Sequence, residues 1–177
     1  MYTGTNKTAL KSLKRISSSF LQLLKEQPYS SISISNVCLK AGISRQTFYT
    51  LFRTKDNLVI YLLRSADRAD FTDKNQVTSV SLPHIAGKFS LYLVDNKELL
   101  ELLYQNRILY LLQDCLFQNL FSTSFLSDYD PLKRKICLDF IAGGLYGIAK
   151  NYIEHPDANQ PELEKCVIHL FSGDLFL

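Results

Sequence analysis

The sequence predicts an all-α protein of about nine helices, a three-helix head followed by a longer helical body. Three observations carry this. Apolar residues recur at steps of three and four along nearly all of the 177-residue chain, while no stretch alternates apolar and polar as a half-buried strand would. Proline and short polar capping residues break that periodicity at intervals of helical length. Charge divides unevenly: residues 1–70 hold 11 Lys and Arg against 4 Asp and Glu, a balance of +7, and the remainder carries −4.

Residues 1–6 read as a loose polar arm. From Lys7, the positions Leu10, Leu13, Ile16, Phe20 and Leu23 mark one apolar face of a first helix that runs to Gln27, with Lys11, Lys14 and Arg15 left for solvent or phosphate. Pro28 stops it. The link Tyr29-Ser30-Ser31 is short, so this helix folds straight back on the next two. Ser33 can cap a second helix whose inner face is Ile34, Val37, Cys38 and Ala41. Gly42 can take the positive φ that ends it, and Ser44 can cap a third. In that third helix Phe48, Leu51 and Phe52 form the buried side, which leaves Arg45, Gln46, Thr47, Tyr49 and Thr50 around the outer surface. Two short helices about a glycine turn, the second rich in hydrogen-bonding groups, make a helix-turn-helix pattern.

Thr54 opens a fourth helix along Leu58, Tyr61, Leu62, Ser65 and Ala69, apolar nearly all round and therefore gripped from several sides. The polar run Thr72 to Ser79 comes after it. Ser81 and Pro83 begin a fifth helix through Asp95, Asn96 can cap a sixth, and a seventh is expected from Arg107 to Phe121. Asp130-Pro131 is a strong start for a long eighth helix to about Glu154. Pro161-Glu162 opens the ninth, which fades near Ser172-Gly173. The expected division is a head of residues 1–53 and a body of residues 54–177, with the helix over 54–71 shared.

A basic segment carrying the two-helix pattern points to a polyanion, since Lys and Arg near phosphates gain affinity by releasing counterions. Cys38, Cys115, Cys137 and Cys166 show no C-x-x-C pairing and read as small hydrophobes in a reducing compartment, so no disulfide or metal site is expected. No leader is expected from the polar N-terminal residues, and the longest apolar runs, such as Leu58 to Leu63, fall far short of the roughly 20 residues a bilayer span needs. A cytoplasmic protein with no membrane partner is expected. His84, His155 and His169 are well separated, no metal-binding or nucleophile spacing occurs, and no Gly-rich phosphate loop is present. The chain is not expected to be an enzyme or to hold a cofactor.

Ala41-Gly42-Ile43-Ser44, Thr47-Phe48-Tyr49, Phe52 and Thr54-Lys55-Asp56-Asn57-Leu58, in this order near an N-terminus, resemble the tetracycline-repressor (TetR-like) transcriptional regulators over residues 8–65. The resemblance implies a DNA-binding head, a helical ligand-binding and dimerisation body, and a homodimer on a palindromic duplex operator. It places Arg45 and Gln46 at base edges, for which Arg is suited to guanine and Gln to adenine. Ser33, Ser35, Ser44, Thr47, Tyr49, Thr50 and Lys55 fall at the remaining DNA-contacting positions.

In the body the resemblance implies a cavity for a small-molecule effector, with Tyr61, Phe89, Tyr92, Tyr104, Gln105, Tyr110, Gln113 and Phe117 as candidate lining and Asn106 as a further polar neighbour. The body's negative balance leans toward neutral or cationic compounds. Ile136, Phe140, Gly143, Gly144, Gly147 and Ile148 lie near one stripe of the eighth helix, and interior glycines at about 1 kcal/mol apiece usually have a packing reason. Their partner is either the last helix, through Leu163, Val167 and Leu170, or a second copy of the chain in a four-helix dimer contact. The expected function is a ligand-responsive regulator, acting as a repressor; a co-activator that binds protein with the same fold is the alternative.

Overall fold

The computed structural model describes residues 7–66, 81–155 and 157–172. Among these the chain forms nine α-helices and no strand: α1 Lys7–Glu26, α2 Ile34–Ala41, α3 Arg45–Leu51, α4 Lys55–Ala66, α5 Leu82–Asp95, α6 Lys97–Gln105, α7 Leu111–Phe121, α8 Pro131–Glu154 and α9 Gln160–Ser172. A single 3₁₀ turn, Tyr29–Ser31, links α1 to α2. The all-helical expectation holds. The proposed boundary at Thr72 to Ser79 and the last turn of the shared helix lie outside the described residues.

The head closes because three apolar faces meet. Leu13, Ile16, Phe20 and Leu23 of α1 bury, as the periodicity anticipates, together with Leu24, against Val37, Cys38 and Ala41 of α2 and against Phe48, Leu51 and Phe52, whereas Leu10, expected on the same face, is 43% exposed. Phe20, Phe48 and Phe52 are fully enclosed. Truncating any one of them to alanine would cost about 3–5 kcal/mol, because a small core cannot refill the void. Ser33 caps α2 with a capping box through Asn36, and Gly42 ends it at φ +60°. Arg15 Nη2 donates to the Gly42 carbonyl at 3.2 Å, which ties α1 to the turn rather than leaving Arg15 for solvent.

α4 meets the end of α3 through Tyr61, whose ring centre lies 5.4 Å from that of Phe52. Its Leu58, Val59, Leu62 and Leu63 are buried, and it packs on α7. Arg64 Nη2 donates to Gln118 Oε1 at 2.7 Å, and the Tyr92 hydroxyl donates to the Leu63 carbonyl at 3.2 Å, so α4 is pinned to α7 and α5. Within the body α5 pairs with α9, α7 with α8, and α6 with α8.

Three details depart from expectation. Asn96 does not cap α6; its Nδ2 donates back to the Tyr92 carbonyl at 2.9 Å and so closes α5. α7 begins at Leu111 rather than Arg107, since residues 106–110 form a tight corner. The stripe on α8 also splits. Leu132, Ile136 and Phe140 are 68%, 59% and 74% exposed, whereas Ile148, Leu163 and Val167 are buried within the chain, the last two because α9 lies along α5 and meets α8 only lightly. Those three belong to the chain's own core. Leu170 is half-buried against that core. Gly144 accommodates Phe171, whose Cζ would lie 2.6 Å from an added Cβ, Gly143 faces Gln113, and Gly147 faces open space.

Candidate nucleic-acid interface

At seven residues α3 is too short to hold itself, so its ends and its buried side decide where its outer face points. Ser44 Oγ accepts from the Thr47 N–H at 3.1 Å and lies 2.9 Å from Thr47 Oγ1. At the other end the Phe52 N–H donates to the Phe48 carbonyl at 2.9 Å. With Phe48 and Leu51 locked in the core, Arg45, Gln46, Tyr49 and Thr50 are exposed and Thr47 is half-buried. Arg45 makes no hydrogen bond or ion pair among the described residues, and the Tyr49 ring stands edge-on to Phe48 at 6.0 Å. Thr50 Oγ1 donates to the Gln46 carbonyl at 2.9 Å, which spends its proton on the helix.

Beside this face lies a notch of about 390 Å³ between α1 and α3, lined by Thr8, Ala9, Ser12, Gln46, Thr47, Thr50 and Leu51. Lys7, Lys11 and Lys14 are exposed on the same N-terminal half of α1. Arg53, a residue the sequence did not single out, is exposed just beyond α3 at φ +64°, a left-handed conformation that costs a non-glycine residue roughly 1–2 kcal/mol.

Other expected contacts have work inside the protein. Ser33 is the α2 cap, accepting from the Asn36 N–H at 3.0 Å, and Ser35 is half-buried in the first turn of the same helix. Lys55 is turned inward: Nζ donates to the carbonyls of Tyr29 at 2.9 Å and Ile32 at 2.5 Å, and lies 4.1 Å from the centre of the Tyr29 ring. Burial is the main cause that lowers its pKa, opposed by the charge of Asp56. Tyr29 in turn donates its hydroxyl to Asp56. Its phenol is pushed well above its ordinary range by burial first, then by the hydrogen bond and charge of Asp56, with a further push from Tyr110. Lys40 pairs with Glu26 at 2.7 Å.

The body's candidate lining does not gather round one cavity. Phe89 and Tyr92 are core, Tyr61 packs its ring 5.4 Å from Phe52, Phe117 stacks on Phe121 at 5.8 Å, and Gln113 is exposed beside Gly143. Tyr104, Gln105 and Tyr110 do come together, with Arg107, Leu109 and Tyr146, around an open cleft of about 380 Å³ at the α6–α7 corner. Tyr104 donates its hydroxyl to Glu154 at 2.5 Å, and that bond, ahead of Lys150 at 3.7 Å, holds the Glu154 carboxyl below its usual range.

Asn106, between two residues of the cleft, faces the head instead. Its Oδ1 accepts from the Tyr29 N–H at 2.9 Å while Nδ2 donates to the carbonyls of Leu24 at 3.1 Å and Leu102 at 2.9 Å. Neither Asn106 nor Tyr29 could be read as a joint from sequence, since 77 residues separate them and each looks like an ordinary helix-end residue. Among the described residues no helix is long and apolar enough to cross a membrane, and no cluster of His, Cys, Asp or Glu is placed to hold a metal ion.

The model of the N-terminal domain of bacterial regulatory proteins of the tetR family matches residues 20–62, which take in the end of α1, all of α2 and α3 and most of α4. No curated protein matches the chain. Among solved structures, Lin0861 from Listeria innocua is 14% identical over 96% of this chain and 94% of its own, with a TM-score of 0.77. A TetR transcriptional regulator from Rhodococcus sp. RHA1 is 11% identical over 93% and 96%, TM-score 0.55, and the fatty acid degradation regulator FadR from Bacillus halodurans 21% identical over 99% and 99%, TM-score 0.55. The helix-turn-helix head therefore belongs to the tetR family of bacterial regulatory proteins, and the chain carries this N-terminal DNA-binding domain on the all-helical fold of those regulators.

Proposed function

We propose that the protein is a transcriptional repressor that binds a palindromic DNA operator as a homodimer and releases it in response to a small molecule held by the body. The observation that carries the reading is the outer face of α3, where Arg45, Gln46 and Tyr49 stand clear of a fully packed head with a balance of +7. Arg45, with no partner among the described residues, has its donors available for the O6 and N7 of guanine; Gln46, at the edge of the α1–α3 notch, is suited to adenine. Lys7, Lys11 and Lys14 supply sequence-independent attraction to phosphate. Two-fold pairing draws support from the exposed apolar stripe Leu132, Ile136 and Phe140 and from Gly147, open to a second helix. Paired heads would enter successive major grooves about 34–36 Å apart.

Selection of duplexes from a random pool at near-physiological salt tests the reading. Enrichment of a palindrome is the expected result, and Arg45→Ala should then weaken binding by about 1–3 kcal/mol with preference relaxed at one position of each half-site. A protein-binding co-activator draws on a different observation: Leu39, on the outer side of α2, is 84% exposed. Failure to enrich any duplex would favour that role and sink the repressor.

A further inference from the structure

The cleft at the α6–α7 corner is built around a costly residue. α6 ends in a Schellman motif, with the Arg107 N–H donating to the Tyr104 carbonyl and the Ile108 N–H to the Leu103 carbonyl, both at 2.9 Å. The position that closes such a motif is left-handed and favours glycine, yet Arg107 occupies it at φ +59°. Its guanidinium makes no hydrogen bond or ion pair among the described residues, so the conformation gains no internal contact there for the arginine. Strain held at a cleft with its charge unspent is what a binding residue looks like. Around it stand Tyr104, Tyr110 and Tyr146, with Gln105 and the buried Leu109. Arg107 alone among these described lining residues is ionised, and the nearby Glu154 carboxylate is already held by Tyr104 and Lys150. The cleft thus has the opposite sign to the body as a whole.

We propose that this cleft is the effector site and takes a small aromatic monocarboxylate, the carboxylate on Arg107 and the ring among the three tyrosines, and that Asn106 passes its occupancy to the head. A planar guanidinium fork matches a carboxylate with two parallel bonds, and phenol rings with one amide suit a flat apolar body. A volume of about 380 Å³ admits a one- or two-ring acid. The coupling rests on the regulator reading for its output. Arg107 and Asn106 are consecutive, so a ligand that draws Arg107 inward turns the same corner from which Asn106 holds the Tyr29 N–H and the Leu24 carbonyl. Tyr29 lies in turn against Lys55 and Asp56 at the start of α4. The ligand moves the heads only as far as it prefers one arrangement over the other, and DNA must weaken ligand binding by the same factor.

The test uses the full chain and 2-naphthoate, with 2-naphthamide as its neutral counterpart. Calorimetry should show one naphthoate per chain and at least tenfold weaker binding of the amide. Arg107→Gly should raise Tm, because glycine relieves the left-handed strain, while weakening naphthoate at least tenfold. Asn106→Ala should bind naphthoate within about twofold of the parent yet lose most of its effect on the affinity for the selected duplex. Equal affinity for acid and amide, no binding of the acid, or unchanged binding by Arg107→Gly overturns the site; naphthoate-driven release that survives in Asn106→Ala overturns the relay. Calorimetry needs no DNA, so a chain that selects no duplex fails as a regulator with the site still judged on its own, and one that selects duplex but ignores naphthoate fails on the site alone.

Discussion

Tyr29 shows how one side chain comes to matter through its neighbours. Its hydroxyl, ring and backbone serve Asp56, Lys55 and Asn106, and its ring stands edge-on to Phe20 at 6.2 Å, so α1, α4 and the end of α6 meet on it. Burial and Asp56 hold its folded-state pKa above the unfolded value of about 10, which means the folded chain keeps the proton more tightly. The resulting stability is complete below about pH 10 and is lost as pH rises beyond it. Lys55 works with the opposite sign: its lowered folded-state pKa makes stability rise with pH up to about 10.4, above which it adds no further change. Thermal melts between pH 10.5 and 11.5 should therefore show the parent losing Tm faster than Tyr29→Phe, in which Tyr104 and Tyr152 still titrate. Parallel curves would remove Tyr29 as the cause. None of this was legible in the sequence, where Lys55 looks like a solvated or phosphate-bound lysine in a first turn. Its inward course depends on carbonyls 23 and 26 residues away. Phe48, Leu51 and Phe52 were legible, because i, i+3 and i+4 spacing is local.

The elements whose ends rest on short-range chemistry were read well. Ser33, Ser44, Ser81 and Asp130 all cap the helices expected of them, each accepting from the N–H three residues on. Asn96 and the start of α7 were misread, because an asparagine between two helices can serve either and Arg107 at a left-handed corner carries no glycine to announce it. Capping matters most where a helix is shortest. Removing the Ser44 hydroxyl leaves the Thr47 N–H of a seven-residue helix without its partner, so Ser44→Ala should lower the stability of the head by about 0.5–2 kcal/mol in denaturant unfolding. Because α3 then frays as a unit, affinity for the selected duplex should fall evenly across sequences. A change of base preference in place of a uniform loss would mean that Ser44 reads DNA itself.

At the scale of the molecule, sequence periodicity shows which residues are apolar but not which apolar surface another part of the same chain will cover. α8 and α9 illustrate this: both carry apolar stripes, and only the fold reveals that α9 lies along α5, which encloses Val167 at 0% exposure and leaves Phe140 at 74%. A contiguous apolar patch on an otherwise polar surface usually marks an interface, and the two-fold pairing proposed for operator binding would cover this one. The two residues then separate the alternatives that the sequence left open. Phe140→Arg changes a side chain that is mostly exposed and meets its own chain through an edge-on contact with the Phe171 ring at 6.4 Å, so the variant should fold with only a small loss of Tm but sediment as a monomer, and its affinity for a palindrome should fall toward that of a single half-site. Val167→Arg puts a charge among α5 and α9 side chains with no room or partner for it, and should unfold the body by several kcal/mol whatever the oligomeric state. A Phe140→Arg protein that sediments as the parent does would leave the stripe to some other partner and the two-fold operator without its physical basis.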